Sequence, residues 1–267
     1  MNNPNYINHV RQLIDAGLIE DAKIIEEKVR KQNPHLWIGS AFTEQWLDKF
    51  LTQDQEMLKL KQDIRILAAH DDPVLVSGET GTGKEILANA LHASRPGKFE
   101  VINCAAIPEL LLESILFGHK KGSFTGADND NPGLMRTCWN GTLFMDEIGE
   151  TPPLMQSKLL RVIQYKQVRP IGENKEYPIN CRFVFATNQN LELLVEEKRF
   201  REDLLYRISC FELQTKPLRD RPDDIRLIVK NKRPEVSEET LIKWTTMPWR
   251  GNVRQLENQI RRMQVGI

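Results

Sequence analysis

The sequence contains few cysteines, no long apolar run and no excess of charge of either sign. Its four cysteines, Cys104, Cys138, Cys181 and Cys210, form no C-x-x-C pair, which argues against a zinc site. Reduced thiols, together with the absence of a secretory signal and of eighteen consecutive apolar residues, lead us to expect a cytoplasmic protein without a membrane span. The 37 basic and 37 acidic side chains cancel. Overall charge therefore gives no reason to expect non-specific binding of nucleic acid.

The chain has an ordinary globular composition and an alternation of short apolar strands with helical segments. Over 267 residues, 40% are hydrophobic and 28% are charged. Such alternation predicts an α/β fold with a central, mainly parallel sheet over residues 52–219. After Pro217 the pattern is helical only, which predicts a small helical lid over 220–267. The strands are expected at 74–76, 99–102, 142–145, 183–186 and 210–213.

Residues 1–35 have the pattern of a separate helical hairpin. Two apolar stripes with helical spacing, one through Val10 and Leu13 and one through Ala22 and Ile25, are separated at Gly17. The hairpin is either a structural appendage or an arm that docks a regulatory partner. Docking is favoured because so short a segment cannot bury a core of its own.

A phosphate-binding loop is predicted between the first strand and the next helix. The segment matches G-x-x-x-x-G-K in the strand–loop–helix setting that this motif requires. Its glycines let backbone N–H groups face phosphate oxygens, and its lysine reaches the outer phosphates of ATP. Glu85 stands where a hydroxyl normally contacts Mg²⁺, and this carboxylate is one candidate ligand for the ion. The residues are Gly78, Glu79, Thr80, Gly81, Thr82, Gly83 and Lys84.

An acidic pair follows the third apolar strand. Thr142–Met145 ends in Asp146 and Glu147. Asp146 is expected to hold Mg²⁺, directly or through water, and Glu147 to orient or deprotonate the water that attacks ATP. A solvated acidic turn is the alternative for a lone Asp-Glu pair. It is less favoured downstream of a phosphate loop.

Three long motifs resemble the central AAA+ domain of bacterial activators of sigma-54 RNA polymerase. They are G-E-T-G-T-G-K-E at 78–85, E-S-I-L-F-G-H-K-K-G-S-F-T-G-A at 113–127 and D-E-I-G-E at 146–150. The resemblance covers about residues 52–264. The family's signature G-A-F-T-G-A loop differs here only by serine for alanine, in Gly122, Ser123, Phe124, Thr125, Gly126 and Ala127.

The resemblance also implies roles for five further side chains. Asn103 would restrain Glu147, and Asn188 would be the first sensor of the γ-phosphate. Arg201 and Arg207 would be arginine fingers acting on a neighbouring subunit, unless they only form surface salt bridges with Glu202 or Asp203. Arg254 would reach the nucleotide from the lid of its own subunit.

The resemblance implies a homo-oligomer, most simply a hexameric ring, that presses the 122–127 loop against sigma-54 holoenzyme when ATP is bound. Glycines at 118, 122 and 126 predict a mobile loop with Phe124 and Thr125 exposed at its tip. The sequence shows no receiver domain before this region and no helix-turn-helix after it, so we expect action without DNA anchoring of that kind. The lid segment is shorter than is usual in the family, and Arg250 replaces a proline.

Two alternatives to a sigma-54 activator stay open at this point. One is a motor or loader in which Lys120, Lys121, Arg169 and Lys175 line a pore that grips nucleic acid or another protein. The other is a scaffold ring without hydrolysis. The scaffold is disfavoured, because Lys84, the acidic pair, Asn188 and both finger candidates are all present.

Overall fold

A computed structural model describes residues 10, 12, 13, 16–18, 21, 22, 24, 25, 41–93, 95–232 and 235–265. The chain forms two compact units, each made of segments that are not contiguous in the sequence. Unit 1 comprises Met1–His70, Gly78–Ser94 and Gln214–Ile267, and unit 2 comprises Asp71–Ser77 and Arg95–Leu213.

Helices and strands alternate through most of the described chain, as the sequence predicts. The helices are α1 (Ala41–Leu47), α2 (Gln55–Leu67), α3 (Lys84–His92), α4 (Glu109–Phe117), α5 (Leu134–Thr137), α6 (Pro153–Tyr165), α7 (Leu191–Glu196), α8 (Glu202–Ile208), α9 (Pro222–Lys232), α10 (Glu238–Thr245) and α11 (Asn252–Gln264). The strands are β1 (Val74–Ser77), β2 (Phe99–Asn103), β3 (Thr142–Asp146), β4 (Gln167–Val168), β5 (Tyr177–Pro178), β6 (Arg182–Thr187) and β7 (Phe211–Gln214). Short 3-10 helices cover Ile148–Glu150 and Leu218–Asp220.

Unit 2 is built on a five-stranded sheet with the order β2-β3-β6-β1-β7. The pairings of β2 with β3, β3 with β6 and β1 with β6 are parallel. All six residues of β6 are buried, as expected for a central strand with both faces covered. Because parallel strands end at one edge, Ser77, Asp146 and Thr187 close their strands on the same side of the sheet. The predicted α/β class with a parallel sheet is confirmed.

The core of unit 2 lies between this sheet and its helices. Leu143 and Phe183 of the sheet share a cluster of buried side chains with Leu116 of α4, Leu159 of α6 and Leu204 of α8. A small antiparallel pair, β4 with β5, follows α6. This apolar core therefore fixes the positions of the carboxyl ends of β3 and β6, where polar side chains begin.

Unit 1 is helical in its described residues. Helix α2 starts at Asp54, whose carboxylate accepts from the backbone N–H groups of Glu56 and Met57, each at 3.0 Å. A second cluster joins Trp244 and Trp249, whose rings are 5.9 Å apart at 87°, with Leu256 of α11. The Trp249 indole also donates to the carbonyl oxygen of Trp244 at 2.7 Å. These contacts hold α10 and α11 together.

Some elements were not predicted. Helix α4 reads E-L-L-L-E-S-I-L-F, an almost continuous apolar run whose period does not separate helix from strand. The hairpin predicted for 1–35 lies mostly outside the described residues, although Val10 and Ala22 are buried against Ala41. In the described part of the chain, every helix is too short or too polar to cross a bilayer. The division at residue 219 stays a prediction.

Candidate active site

The segment that follows β1 is a tight glycine loop in unit 1. Gly78, Gly81 and Gly83 have φ angles of 144°, 80° and 105°, a region that residues with a Cβ rarely adopt. Gly83 directly precedes α3 and has no side chain to cap the first N–H groups of that helix. Those donors belong to the positive end of the helix dipole, which favours an anion.

Close packing also requires these glycines. A Cβ on Gly81 would overlap the carbonyl oxygen of Gly251, and one on Gly83 would lie 2.9 Å from the ring of Phe50. A Cβ on Gly78 would overlap the hydroxyl of Thr215 and come within 2.8 Å of its carbonyl oxygen. The loop is therefore enclosed by the rest of unit 1.

The side chain of Lys84 folds over the loop. Its ammonium donates to the carbonyl oxygens of Gly78 at 2.7 Å and Glu79 at 3.3 Å, and the residue is buried. The Thr82 hydroxyl donates to the Glu79 carbonyl at 2.8 Å and lies 2.7 Å from the hydroxyl of Thr215. The Lys84 ammonium is thus bonded to the loop backbone, and Thr82 bonds the loop to Thr215.

The start of α11 lies beside the same loop. The backbone N–H of Val253 donates to the Gly81 carbonyl at 3.0 Å. A Cβ on Gly81 would be 3.1 Å from the Cβ of Arg254, whose side chain is exposed. Unit 1 therefore brings Arg254 beside the loop. Glu85, the first-turn carboxylate of α3, is exposed.

The acidic pair lies at the carboxyl end of β3 in unit 2. Asp146 is half-buried and accepts from the backbone N–H of Glu147 at 3.1 Å. Glu147 has φ 54°, a left-handed conformation that costs roughly 1 kcal/mol and is typical of functional sites. The Glu147 carboxylate accepts from the backbone N–H of Asn188 at 3.3 Å. The predicted first sensor is therefore in contact with the predicted base.

Asn103 occupies the matching position on the next strand. It pairs in register with Asp146, and its side-chain oxygen accepts from the backbone N–H groups of Ala105 at 2.9 Å and Ala106 at 3.2 Å. Burial, and then the charges of Asp146 and Glu147, raises the pKa of the adjacent Cys104 thiol to about 12. The Cys104 thiol is therefore neutral at physiological pH.

The two finger candidates differ in their surroundings. Arg201 forms a bidentate pair with Asp203, at 2.9 and 2.7 Å, and donates to the Ser157 hydroxyl at 3.1 Å. Arg207, on the last turn of α8, is exposed and has no ion-pair partner among the described residues. The surface salt bridge considered for these arginines is thus observed for Arg201.

The loop over residues 118–127 is closed by its own backbone. Gly122 N–H donates to the Ala127 carbonyl at 2.8 Å, and Ala127 N–H donates to that of Phe124 at 3.0 Å. Thr125 is exposed, as expected. Phe124 instead is half-buried and packs edge-on against His119, with ring centroids 5.0 Å apart. The expectation of an exposed Phe124 is therefore wrong for this conformation, because an imidazole lies within reach of the ring.

This loop is joined to the segment around residue 171. Lys120 N–H donates to the Ile171 carbonyl at 3.0 Å, and Ile171 N–H donates to that of Gly118 at 2.9 Å. A Cβ on Gly172 would lie 2.6 Å from the Cβ of Ser123. Ser123 therefore packs closely against Gly172, where a residue with a Cβ would overlap it.

Three residues that contact the phosphate loop have no role predicted from the sequence. They are Thr215, Arg219 and Asn252, which lie more than 130 positions away along the chain. The G-N-V-R segment containing Asn252 was a visible signal, but its partner could not be read from spacing. Thr215 and Arg219 carry no comparable motif.

The sheet order, the glycine loop after β1, the acidic end of β3 and the helical segment after β7 together define the class of protein: the chain has the AAA+ ATPase fold. Within that class, the model of the sigma-54 interaction domain matches residues 50–214, more than half of the chain. The chain belongs to this family.

Individual relatives agree with the family match. The chain is 41% identical over 252 residues to the DNA-binding transcriptional activator HyfR of Escherichia coli, covering 89% of this chain and 38% of HyfR. It is 38% identical over 275 residues to the regulatory protein AtoC of the same organism, covering 98% of this chain and 59% of AtoC. The chain therefore spans less than two thirds of the length of each of these curated relatives.

Solved structures support the same fold. The crystal structure of NtrX from Brucella abortus in complex with ADP matches with a TM-score of 0.75 and 26% identity, covering 95% of this chain and 55% of that one. A complex of NtrX with ATP matches with a TM-score of 0.74, also at 26% identity, covering 95% and 58%.

Proposed function

We propose that this chain hydrolyses ATP and uses that reaction to remodel sigma-54 RNA polymerase, so that transcription starts. The observation that carries the ATPase proposal is the enclosed loop at 78–84, in which the Lys84 ammonium is bonded to the loop backbone and α3 begins without a side-chain cap. Such a loop suits a polyphosphate, since backbone N–H groups and one ammonium offer donors without a competing side-chain cap. The NtrX structures with ADP and ATP support a nucleotide ligand.

In this proposal the polar residues have distinct roles in binding and hydrolysis. Lys84 and the loop N–H groups bind the phosphates, and Arg254 binds the nucleotide from the lid. Glu147 orients and deprotonates the attacking water. Asn188 donates to Glu147 through its backbone, so its side chain is the proposed detector of the γ-phosphate, while Asn103 is proposed to restrain Glu147.

Mg²⁺ is proposed as the metal. The described residues contain no cluster of three or more acidic, histidine or cysteine side chains, which fits an ion that binds few protein ligands and keeps its waters. Asp146 offers a hard carboxylate oxygen, directly or through water, and Glu85 is the second candidate ligand. When bound, the ion would neutralise charge on the transferred phosphoryl group.

A homo-oligomeric ring, most simply a hexamer, is proposed to complete each site. Exposed Arg207 has the freedom to reach a neighbouring subunit, whereas Arg201 would first have to leave Asp203. An arginine finger supplied in trans can raise the rate by about 10³-fold or more. An isolated subunit should then hydrolyse ATP very slowly.

The turn at 122–127, in which Gly122, Thr125 and Gly126 are exposed, is the proposed contact with sigma-54, and the family's description as a sigma-54 interaction domain supports such a contact for the domain. HyfR and AtoC bear names of transcriptional regulators, which supports a cytoplasmic protein acting on RNA polymerase. Residues 1–35 remain a proposed docking arm for a regulatory protein. Nucleic acid in the pore is less favoured, because Lys120 pairs with Asp130 and Arg169 with Glu176.

Two assays test the proposal. Purified protein is examined for ATP hydrolysis and for sigma-54-dependent open-complex formation, with Glu147→Gln as the control that should bind ATP without turnover. We expect hydrolysis and open complexes from the unaltered protein only. Hydrolysis without open complexes would refute the sigma-54 target, and stimulation by single-stranded DNA would then support the motor alternative.

A further inference from the structure

Glu79 is the centre of a set of contacts that joins the phosphate loop to the lid. Its carboxylate accepts two hydrogen bonds from Arg219, at 2.9 and 2.6 Å, and one from the side-chain amide of Asn252 at 3.1 Å. The Arg219 guanidinium, and then the Asn252 amide, hold the pKa of the Glu79 carboxyl below its usual range. We call these three residues the lid latch.

Both polar atoms of the Asn252 side chain form hydrogen bonds in this latch. Its oxygen accepts from the backbone N–H of Leu218 at 2.7 Å, and its amide donates both to Glu79 and, at 3.0 Å, to the carbonyl oxygen of Thr80. The residue is fully buried and has φ 49°, a conformation that asparagine tolerates better than most side chains. One side chain thus ties together the phosphate loop, the 218–220 turn and the first residue of α11.

The latch fixes where α11 begins. One residue after Asn252, Val253 N–H donates to the Gly81 carbonyl, and the next residue is Arg254. The direction of the Arg254 side chain follows from the direction of the first turn of α11. Gly251, which precedes that turn, offers no side-chain cap, and its backbone N–H donates to the Gln255 side chain at 2.9 Å.

We propose that Glu79 is a positioning residue, which acts through Asn252 and Arg219 to set the direction in which α11 presents Arg254 to the nucleotide. The proposal rests on the proposed ATPase function for the role of Arg254. The Glu79 carboxylate itself need not touch the nucleotide, because its described hydrogen bonds go to Arg219 and Asn252. A displacement of about 1 Å in a positioned group is enough to reduce a rate strongly.

The test exchanges donor and acceptor across the Glu79–Asn252 bond. In Asn252→Asp, the new carboxylate still accepts from Leu218 but repels Glu79 and loses the bond to Thr80. In the double variant Glu79→Gln with Asn252→Asp, the glutamine amide can donate to the new carboxylate. Glu238→Gln is the matched control, since Arg226 pairs with Glu238 at 2.6 Å elsewhere in unit 1.

The first readout is amide hydrogen exchange without nucleotide. We expect Val253 to exchange about tenfold faster in Asn252→Asp, at least threefold slower again in the double variant, and unchanged in Glu238→Gln. Leu218 should stay protected in all of them, which shows that the fold is intact. Unchanged exchange at Val253 in Asn252→Asp would overturn the latch, whether or not the protein hydrolyses ATP.

The second readout is steady-state ATP hydrolysis. Asn252→Asp should lower kcat about tenfold, with KM for ATP changed less than about threefold, because the phosphate loop still binds. The double variant should recover at least threefold in kcat. A changed exchange rate with unchanged kcat, or a double variant no better than Asn252→Asp, would overturn the positioning role. If the unaltered protein and Glu238→Gln are both inactive, the proposed function fails, and the exchange data still decide whether the latch exists.

Discussion

Two glycine-rich loops of this chain have similar composition and opposite surroundings. Gly81 and Gly122 both have φ 80°, yet a Cβ on Gly81 would overlap backbone, whereas nothing lies within 4 Å of a Cβ on Gly122. The first loop is rigid because unit 1 encloses it. The second is held mainly by its own turn bonds and its contact with the 171 segment. The difference fits the proposed roles, in which the first loop holds a phosphate in a fixed geometry and the second changes position against a partner.

The largest expected effect separates the two loops by function. Lys84→Ala removes the ammonium from the phosphate loop and should lower ATP turnover about a hundredfold or more, because a developing charge loses its donor. Phe124→Ala should leave turnover within about twofold while open-complex formation is lost. Both assays are run on the same preparations. Loss of ATPase in Phe124→Ala would break the distinction between the loops.

The free energy of unfolding tests directly how closely each glycine loop is enclosed. Gly81→Ala and Gly122→Ala carry the same backbone strain of about 1 kcal/mol, but only the first also forces overlap with Gly251. We expect the free energy of unfolding to fall by about 3 kcal/mol for Gly81→Ala and about 1 kcal/mol for Gly122→Ala. Urea unfolding gives both values, and equal losses would contradict the enclosed loop.

Removal of a hydroxyl group should change the stability of the protein in opposite directions in the two loops. The Thr82 hydroxyl makes two short contacts, whereas the buried Ser123 hydroxyl has no hydrogen-bond partner among the described residues. Thr82→Val should therefore cost about 1–2 kcal/mol, and Ser123→Ala should gain up to about 1 kcal/mol. Thermal unfolding of the two variants checks this, and a destabilised Ser123→Ala would show that the hydroxyl is bonded in solution.

The smallest effect concerns pH. Arg219 lowers the pKa of Glu79, and Lys120 lowers that of Asp130, so each carboxylate contributes stability above its ordinary pKa that is lost as pH falls through the lowered one. The stability difference between the unaltered protein and Glu79→Gln should therefore shrink between about pH 6 and pH 3. Asp130→Asn should show a weaker trend, since its lysine pair is more exposed and less directional. A trend of opposite sign would contradict the ion pairs.

Local chemistry made much of the fold predictable. Met57, Leu60, Ile64 and Leu67, which recur at helical spacing in the sequence, are buried in α2, and the five strands of the main sheet follow the predicted apolar segments. Helix α4 escaped prediction because an apolar run has no distinguishing period. Patterns of this kind report the environment of one segment at a time.

The candidate site was predictable only in part, for the same reason. Lys84 and Glu147 stand in motifs whose residue order implies their chemistry. The contact of Asn252 with Glu79 is decided by tertiary packing, and so is the contact of Phe124 with His119. No spacing rule encodes those pairs, since each side chain has an ordinary local alternative.

The bond between Glu79 and Asn252 spans 173 positions of the chain. During synthesis, β1 and its glycine loop leave the ribosome long before the residues that will enclose them. Long-range closure of this kind is slow and leaves intermediates exposed. A chain whose synthesis stops before residue 252 would lack part of the segment that encloses the phosphate loop. The nascent protein should therefore acquire nucleotide affinity late, when translation is almost complete.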